Sequence, residues 1–287
     1  MNRSSCSFRF DDLEGRTLLI TGTTQGIGKA ILPGLIDQGL NLVLVGTPIQ
    51  TMRAIREQLC VDECRMKLYE CDLADPDAVK ATARQVRDET RALDGLLHNA
   101  AIDPRHRFDD NQPELWQRVL QVNLHAPVTL TQHLLPKLRE SSQGRVIFVG
   151  SVMAGHGGSY MSAYVASKGA LESVTRSLAH ELKGSRITVN CLIPGAIRVE
   201  KEGGSEATDA RLIGWQAVPR RLTPCDLLGP ISLLLSGAGS GITGQSLIVD
   251  GGLIHPLADR ATQQHCLETT PTDSVLTISP PDLQDRD

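Results

Sequence analysis

The chain has 287 residues, of which 40% are apolar, 22% charged and only 3% aromatic, with a formal net charge of −4. That length supports a sizeable core, as one large domain or two small ones, and the slight acidity argues against a nucleic-acid partner. No apolar run approaches the roughly 20 residues a membrane helix needs, and residues 1–13 carry no apolar stretch of signal-peptide length, so no membrane partner is expected and the cytoplasm is the expected location.

In chain order, Thr17–Thr21 (TLLIT) is a short apolar run that gives way at once to glycine. Similar runs follow at 41–45, Met66–Glu70, Gly95–His98, Arg145–Val149, 187–191 and Ser246–Val249. Longer stretches with helical spacing lie between them, at 75–91, 114–138 and 162–182. Short buried strands alternating with helices predict an α/β protein with a seven-stranded parallel sheet and helices on both faces, wound as one domain. Its body spans 13–258, after a 1–12 extension. Pro33 and Gly34 interrupt the first helical stretch. A proline inside a helix costs ~3 kcal/mol, so a kink or an early stop is expected there. From 259 to 287 the chain is polar, without an aromatic residue, and rich in Thr, Pro and Asp. It has too little to bury, which predicts a disordered tail. The seven cysteines are scattered, and Cys60 and Cys64 match neither a zinc knuckle nor a redox CxxC. They read as reduced, with no metal site.

The turn after the first strand reads Thr21-Gly22-Thr23-Thr24-Gln25-Gly26-Ile27-Gly28 and opens a helix. Gly22 suits a tight turn, Gly26 lets backbone approach a pyrophosphate, and Gly28 lets the helix pack close to the strand. The helix N-terminus offers N–H groups and a positive dipole end to phosphates. Together these predict a Rossmann-like dinucleotide site rather than an ordinary strand–helix turn.

Cofactor choice is written at the end of the second strand, where a carboxylate selects NAD and an arginine selects NADP. Gly46-Thr47 stands there, with Gln25 before Gly26, so neither signal is present. No carboxylate repels the extra phosphate and Thr47 can donate to it, which tilts the expectation from NAD toward NADP. Asp72, in Cys71-Asp72-Leu73, either accepts from the adenine amino group or caps the helix that follows.

Tyr164 and Lys168 stand at i and i+4, on one face of a helix. A phenol titrates near pH 10, and a cation beside it can lower that by ~1–3 units, which makes the pair a general acid–base. Ser151 follows the RVIFV strand at its C-terminal end, where ligands of open α/β sheets bind. On the loop beyond it, Met153, His156 and Tyr160 are expected to face the pocket. His156 either bonds a substrate hydroxyl or is simply solvent-exposed.

These residues together resemble a short-chain dehydrogenase/reductase, over roughly residues 13–253. The family's TGxxxGIG turn appears at 21–28, its YxxxK pair at Tyr164 and Lys168, and its serine at Ser151. Its helix asparagine matches Asn123 in Val122-Asn123-Leu124, and its PG turn matches Pro194-Gly195. The family's NNAG reads His98-Asn99-Ala100-Ala101 here, and the threonine that often bonds the nicotinamide carboxamide is not evident.

The resemblance implies an NAD(P)-dependent oxidoreductase that interconverts a secondary alcohol, or a sugar or polyol hydroxyl, and a carbonyl. Tyr164 would exchange the proton, Lys168 would lower the tyrosine pKa and bond the ribose, Ser151 would orient the substrate oxygen, and Asn123 would hold a water linking Lys168 to solvent. Asn99, Ala100 and the Ile197 backbone would touch the cofactor, along with Leu73 beside Asp72. A homo-oligomer, tetramer or dimer, would form through the long helices at 114–138 and 162–182. A mobile substrate lid would lie at about 198–219. Glu200 and Glu202 within it disfavour a highly anionic substrate, so a neutral polyhydroxylated compound or a modest carbonyl compound fits better than an acyl-carrier thioester. Two other readings remain: a non-catalytic dinucleotide-binding regulator, and an epimerase or dehydratase on the same fold.

Overall fold

The computed structural model describes residues 8–110, 112–199 and 206–254. The expected tail at 259–287, and Glu200 and Glu202 of the expected lid, lie outside the described residues. Seven strands form one sheet: β1 (Thr17–Thr21), β2 (Asn41–Gly46), β3 (Met66–Glu70), β4 (Gly95–His98), β5 (Arg145–Val149), β6 (Thr188–Pro194) and β7 (Ser246–Val249). They lie in the order β3-β2-β1-β4-β5-β6-β7, and every neighbouring pair is parallel. The chain winds outward from β1 to β3, then returns to β4 on the other side of β1. The crevice where the winding reverses lies at the carboxyl ends of β1 and β4.

Strand alternation sorts the core into two layers. Leu19, Val43, Val45, Leu96, Val146 and Phe148 point to one face. There they meet α3 (Pro76–Glu89), α5 (Ala126–Glu140) and α7 (Ser162–Glu181), through Val79, Leu130, Leu134 and Leu171. Leu18, Ile20, Leu42, Leu44, Leu97 and Ile147 point to the other face. That layer is closed by α1 (Gly26–Asp37), α2 (Ile49–Gln58) and α9 (Cys225–Leu235). Three further helices, α4 (Pro113–Leu120), α6 (Met153–His156) and α8 (Glu206–Ile213), complete the described part. None of the helices among the described residues is long and apolar enough to cross a membrane.

Several elements differ from the pattern read in the sequence. Helix α1 does not stop at Pro33 but runs on to Asp37. Ile31, Leu32 and Leu35 are buried against the sheet, each contributing about 2 kcal/mol, which together outweigh the ~3 kcal/mol proline penalty. Pro33 and Lys29 both face outward, where water can take the carbonyl bond that the ring leaves unmade. The single helix expected over 114–138 is interrupted by a π-helical turn at Gln121–His125, between α4 and α5. Its signal was Pro127, which has no N–H to donate to the Asn123 carbonyl one ordinary turn back. The cap of α3 is Asp75, which accepts from the N–H groups of Asp77 and Ala78 at 2.9 and 3.2 Å, not Asp72. Strand β2 extends to Gly46, and β6 starts at Thr188 and carries through to Pro194. The N-terminal segment is not loose where it is described. Phe8 and Phe10 pack on the α1–α9 layer, and the Gln38 amide bonds the backbone of both.

Candidate active site

The crevice holds a cavity of about 650 Å³. Its dinucleotide end is lined by the turn from Gly22 to Ile27, by Gly46 and Thr47, by Asp72 and Leu73, and by Asn99 and Ala100. Ser151, Met153, Tyr164, Lys168, Pro194, Gly195 and Ile197 line the rest. The structure therefore gathers residues from Gly22 to Ile197 into one cleft.

The glycine turn is built by close approach. Gly22 has φ +71°, and a Cβ there would lie 2.6 Å from the Ala100 Cα. A Cβ on Gly28 would lie 2.1 Å from the Gly22 carbonyl oxygen, so Gly28 packs the helix against the turn and does not itself line the cleft. Asn99 pins the same turn, its amide donating to the carbonyls of Thr21 and Gly22 at 3.2 and 2.9 Å. The departure at Ala101 is accommodated because that residue is not in the left-handed region and needs no glycine. This end fits a dinucleotide. The first turn of α1 carries no acid and no side-chain cap. Thr23, which the sequence reading passed over, is buried there with its hydroxyl unpartnered. At the β2 end, a Cβ on Gly46 would have nothing within 4 Å, which leaves room beside Thr47 for a ribose substituent. Asp72 faces this space, with one oxygen accepting from the Ala74 N–H at 2.9 Å.

At the other end, Ser151 lies just past β5, and its hydroxyl accepts from the Met153 N–H at 3.2 Å. Tyr164 and Lys168 project from the first two turns of α7. The Lys168 ammonium is buried, donates to the Val149 carbonyl at 2.6 Å, and stands 5.7 Å from the centre of the Tyr164 ring. Burial pushes that ammonium down to about 8. Burial also pushes the Tyr164 phenol up, while its hydrogen bond with Ser151 pulls it down. Desolvation is the largest influence, so the protein's own groups leave the phenol above its ordinary value rather than below it.

Asn123 sits wholly buried in the π turn. Its amide donates to the Ile102 carbonyl and to the Ser167 hydroxyl, both at 3.0 Å, and its oxygen accepts from the Ile102 N–H at 2.8 Å. Ser167 in turn donates to the Tyr164 carbonyl at 2.7 Å. The Asn123 side chain therefore ties the loop after β4 to the tyrosine's own turn. Pro127 has no N–H to offer the Asn123 main-chain carbonyl one ordinary turn back.

Some expected residues do not converge. His156 and Tyr160 are exposed and do not line the cleft. Ile197 does line the cleft, with its N–H donating to the Gly195 carbonyl at 3.0 Å. Sequence reading also passed over Asp103, Arg105, Arg118 and Arg221, all of which line the cleft. They lie on loops and at a helix edge that carry no motif.

A doubly wound parallel sheet with this glycine turn at its switch point defines a dinucleotide-binding α/β protein. A family model for short chain dehydrogenases matches residues 16–209. The chain belongs to the short-chain dehydrogenase/reductase family of NAD(P)-dependent oxidoreductases. It is 30% identical over 244 residues to a 2-dehydro-3-deoxy-D-gluconate 5-dehydrogenase of Pseudoalteromonas atlantica, an alignment covering 84% of this chain and 96% of that one. It is 27% identical over 245 residues to a D-xylose 1-dehydrogenase of Caulobacter vibrioides, covering 85% and 97%. Among solved structures, a gluconate 5-dehydrogenase of Burkholderia cenocepacia in complex with NADP and tartrate superposes with a TM-score of 0.79. It is 26% identical, with 86% of this chain and 99% of that one covered.

Proposed function

We propose that this chain oxidises a secondary hydroxyl of a sugar-type substrate, or reduces the corresponding carbonyl, with NADP favoured over NAD. The observation that carries this reading is the cleft itself, which puts Ser151, Tyr164 and Lys168 in the same cavity as the glycine turn. The dehydrogenases of sugars and sugar acids among its relatives support the substrate class. For NADP, the support is the open space at Gly46, the absence of a carboxylate at the end of β2 and the NADP held by the Burkholderia neighbour.

Bound in this cleft, a nicotinamide cofactor supplies the hydride acceptor or donor. The turn at 22–27 and the N-terminus of α1 hold its phosphates, and Gly46, Thr47, Asp72 and Leu73 its adenosine end. Asn99, Ala100, Pro194, Gly195 and Ile197 flank the rest. Ser151 orients the substrate oxygen toward the Tyr164 phenol, which gives or takes the proton. Lys168 bonds ribose and biases the phenol toward its charged form, while the Asn123 carbonyl holds the water that connects Lys168 to solvent. Met153 packs beside the substrate. Helix α8, whose Leu212 lines the cleft, serves as the lid helix of the 198–219 segment, with its Asp209 paired to Arg198 and Arg221. Apolar residues left half-buried on α5 and α7, such as Leu135 and Leu178, support assembly of a homo-oligomer, a tetramer or dimer, through these helices. The five cysteines among the described residues are free thiols, which fits the reducing cytoplasm.

The test is to mix the purified protein with NADP or NAD and a panel of sugars, aldonates and polyols, following reduced-nicotinamide absorbance. Turnover that disappears in Tyr164→Phe, with cofactor affinity kept, supports the assignment. Cofactor binding without turnover of any substrate would favour a regulator instead. Product formed without net change in the nicotinamide spectrum would favour an epimerase or dehydratase.

A further inference from the structure

A second cavity, of about 460 Å³, lies at the opposite end of the sheet, at the amino ends of β5 and β6. Its walls are the start of β5, the turn after α7 and the turn before β7. Strand β5 runs from this cavity toward Ser151, about 20 Å away by the rise of an extended strand, and no residue lines both sites. The volume falls within the roughly 300–1,000 Å³ of small-molecule sites.

Its charge is one-sided. Arg145, His180, Lys183 and Arg186 line it, and no Asp or Glu does among the described residues. Arg145 is only 2% exposed. Its guanidinium donates to the carbonyls of Ser236, Gly144 and Arg186 and to the Gln143 amide oxygen, at 2.9 to 3.5 Å, and all of these are neutral. Asp12 acts on it from beyond Gln143, whose amide donates to that carboxylate at 3.1 Å. Burial, and then the charge of Arg16, push the guanidinium below its ordinary value, as expected of a buried cation short of counter-charge. Lys183 and Arg186 are exposed and make no ion pair among the described residues. Carbonyls at the end of α7 would repel an anion, but those of Leu178, His180 and Leu182 are taken by the N–H groups of Leu182, Lys183 and Ser185.

Thr188 is an independent sign. It opens β6, lines the cavity, is 6% exposed, and its hydroxyl is buried with no partner. A hydroxyl in that state costs free energy until a partner reaches it.

We propose that this cavity binds a phosphate monoester, held by Lys183 and Arg186 in the field of Arg145, with Thr188 donating to a phosphate oxygen. Three permanent cations around an acid-free cavity suit a dianion better than a single carboxylate. The remaining space takes the alcohol half of the ester. Helix α7 and strands β5 and β6 reach the cleft only by their other ends, at Tyr164, Ser151 and Pro194, so the ester is distinct from the substrate.

The experiment titrates glycerol 3-phosphate, inorganic phosphate and glycerol into the protein by calorimetry. Saturating NADP keeps the phosphate-holding turn at 22–27 filled, and the readout needs no turnover. Glycerol 3-phosphate should bind, glycerol should not, and inorganic phosphate should bind more weakly than the ester. The double variant Lys183→Gln/Arg186→Gln should weaken the ester at least tenfold with the melting temperature kept. Thr188→Val should weaken it severalfold and leave the ligand-free protein no less stable, because the hydroxyl it removes has no partner. Inorganic phosphate matching the ester would overturn the ester as occupant. No binding of either phosphate compound, or an affinity unchanged in the double variant, would overturn the site.

Discussion

Replacing His98 with glutamine should flatten the loss of stability on the acid side of neutrality. His98 ends β4 with its side chain wholly buried, its ring stacked on Phe148 at 5.2 Å between centroids. Its Nε2 lies 2.9 Å from the Thr131 hydroxyl. That hydroxyl spends its own proton on the Pro127 carbonyl at 2.8 Å, so it accepts from the histidine Nε2–H. The other nitrogen, Nδ1, is buried without a partner, and a proton there would bring an uncompensated charge into the core. Burial accordingly pushes the histidine from its ordinary 6.5 down to about 3. A folded-state pKa below the unfolded one means that the unfolded chain binds the extra proton. The associated stability is full above pH 6.5 and is lost as pH falls from 6.5 toward 3. Each pH unit inside that window costs about 1.4 kcal/mol, so at pH 5 the cost is about 2 kcal/mol. Glutamine places an amide N–H where Nε2 stands and does not titrate in this range. Urea unfolding at pH 7.5 and pH 5 should show the wild-type protein losing about 2 kcal/mol more than His98→Gln between the two conditions. Equal losses in the two proteins would refute the assignment of a neutral, unprotonatable core histidine.

Other substitutions separate chemistry from scaffold. Lys168→Met should eliminate turnover and weaken cofactor binding. Its melting temperature at pH 7 should stay within a few degrees of wild type, because relief of the buried ammonium, about 3 kcal/mol from its pKa near 8, offsets the lost donor to Val149. A large drop in melting temperature would make Lys168 a structural residue first. Gly28→Ala forces a methyl to within 2.1 Å of the Gly22 carbonyl, so it should cost about 1–3 kcal/mol in stability and at least tenfold in dinucleotide affinity, read by denaturation and calorimetry. Gly46→Asp has open space for its carboxylate and should move the kcat/KM ratio from NADP toward NAD. An unchanged ratio would place the ribose pocket elsewhere.

What the sequence determined by itself is what local chemistry enforces. Seven apolar runs bounded by glycine and polar turns can be satisfied only as buried parallel strands, and TLLIT running into TGTTQGIG announces a phosphate-binding turn at their carboxyl ends. Tyr164 and Lys168 share a helix face because four residues make about one turn. Tertiary packing decided the rest. It carried α1 past Pro33 because three buried side chains outweigh one missing bond, and it assigned the cap of α3 to Asp75. In the π turn that Pro127 marks, it set the Asn123 side chain to clamping Ile102 and Ser167, a task that depends on groups more than twenty residues away in each direction. It also turned His156 outward and brought Asp103 and Arg105 beside the phenol from a loop with no motif to mark them. Hydrophobic period and turn chemistry are properties of neighbouring residues and can be read along the chain. Desolvation, charge pairing and the direction in which a loop residue points depend on what distant segments bring alongside, and only the folded chain contains that information.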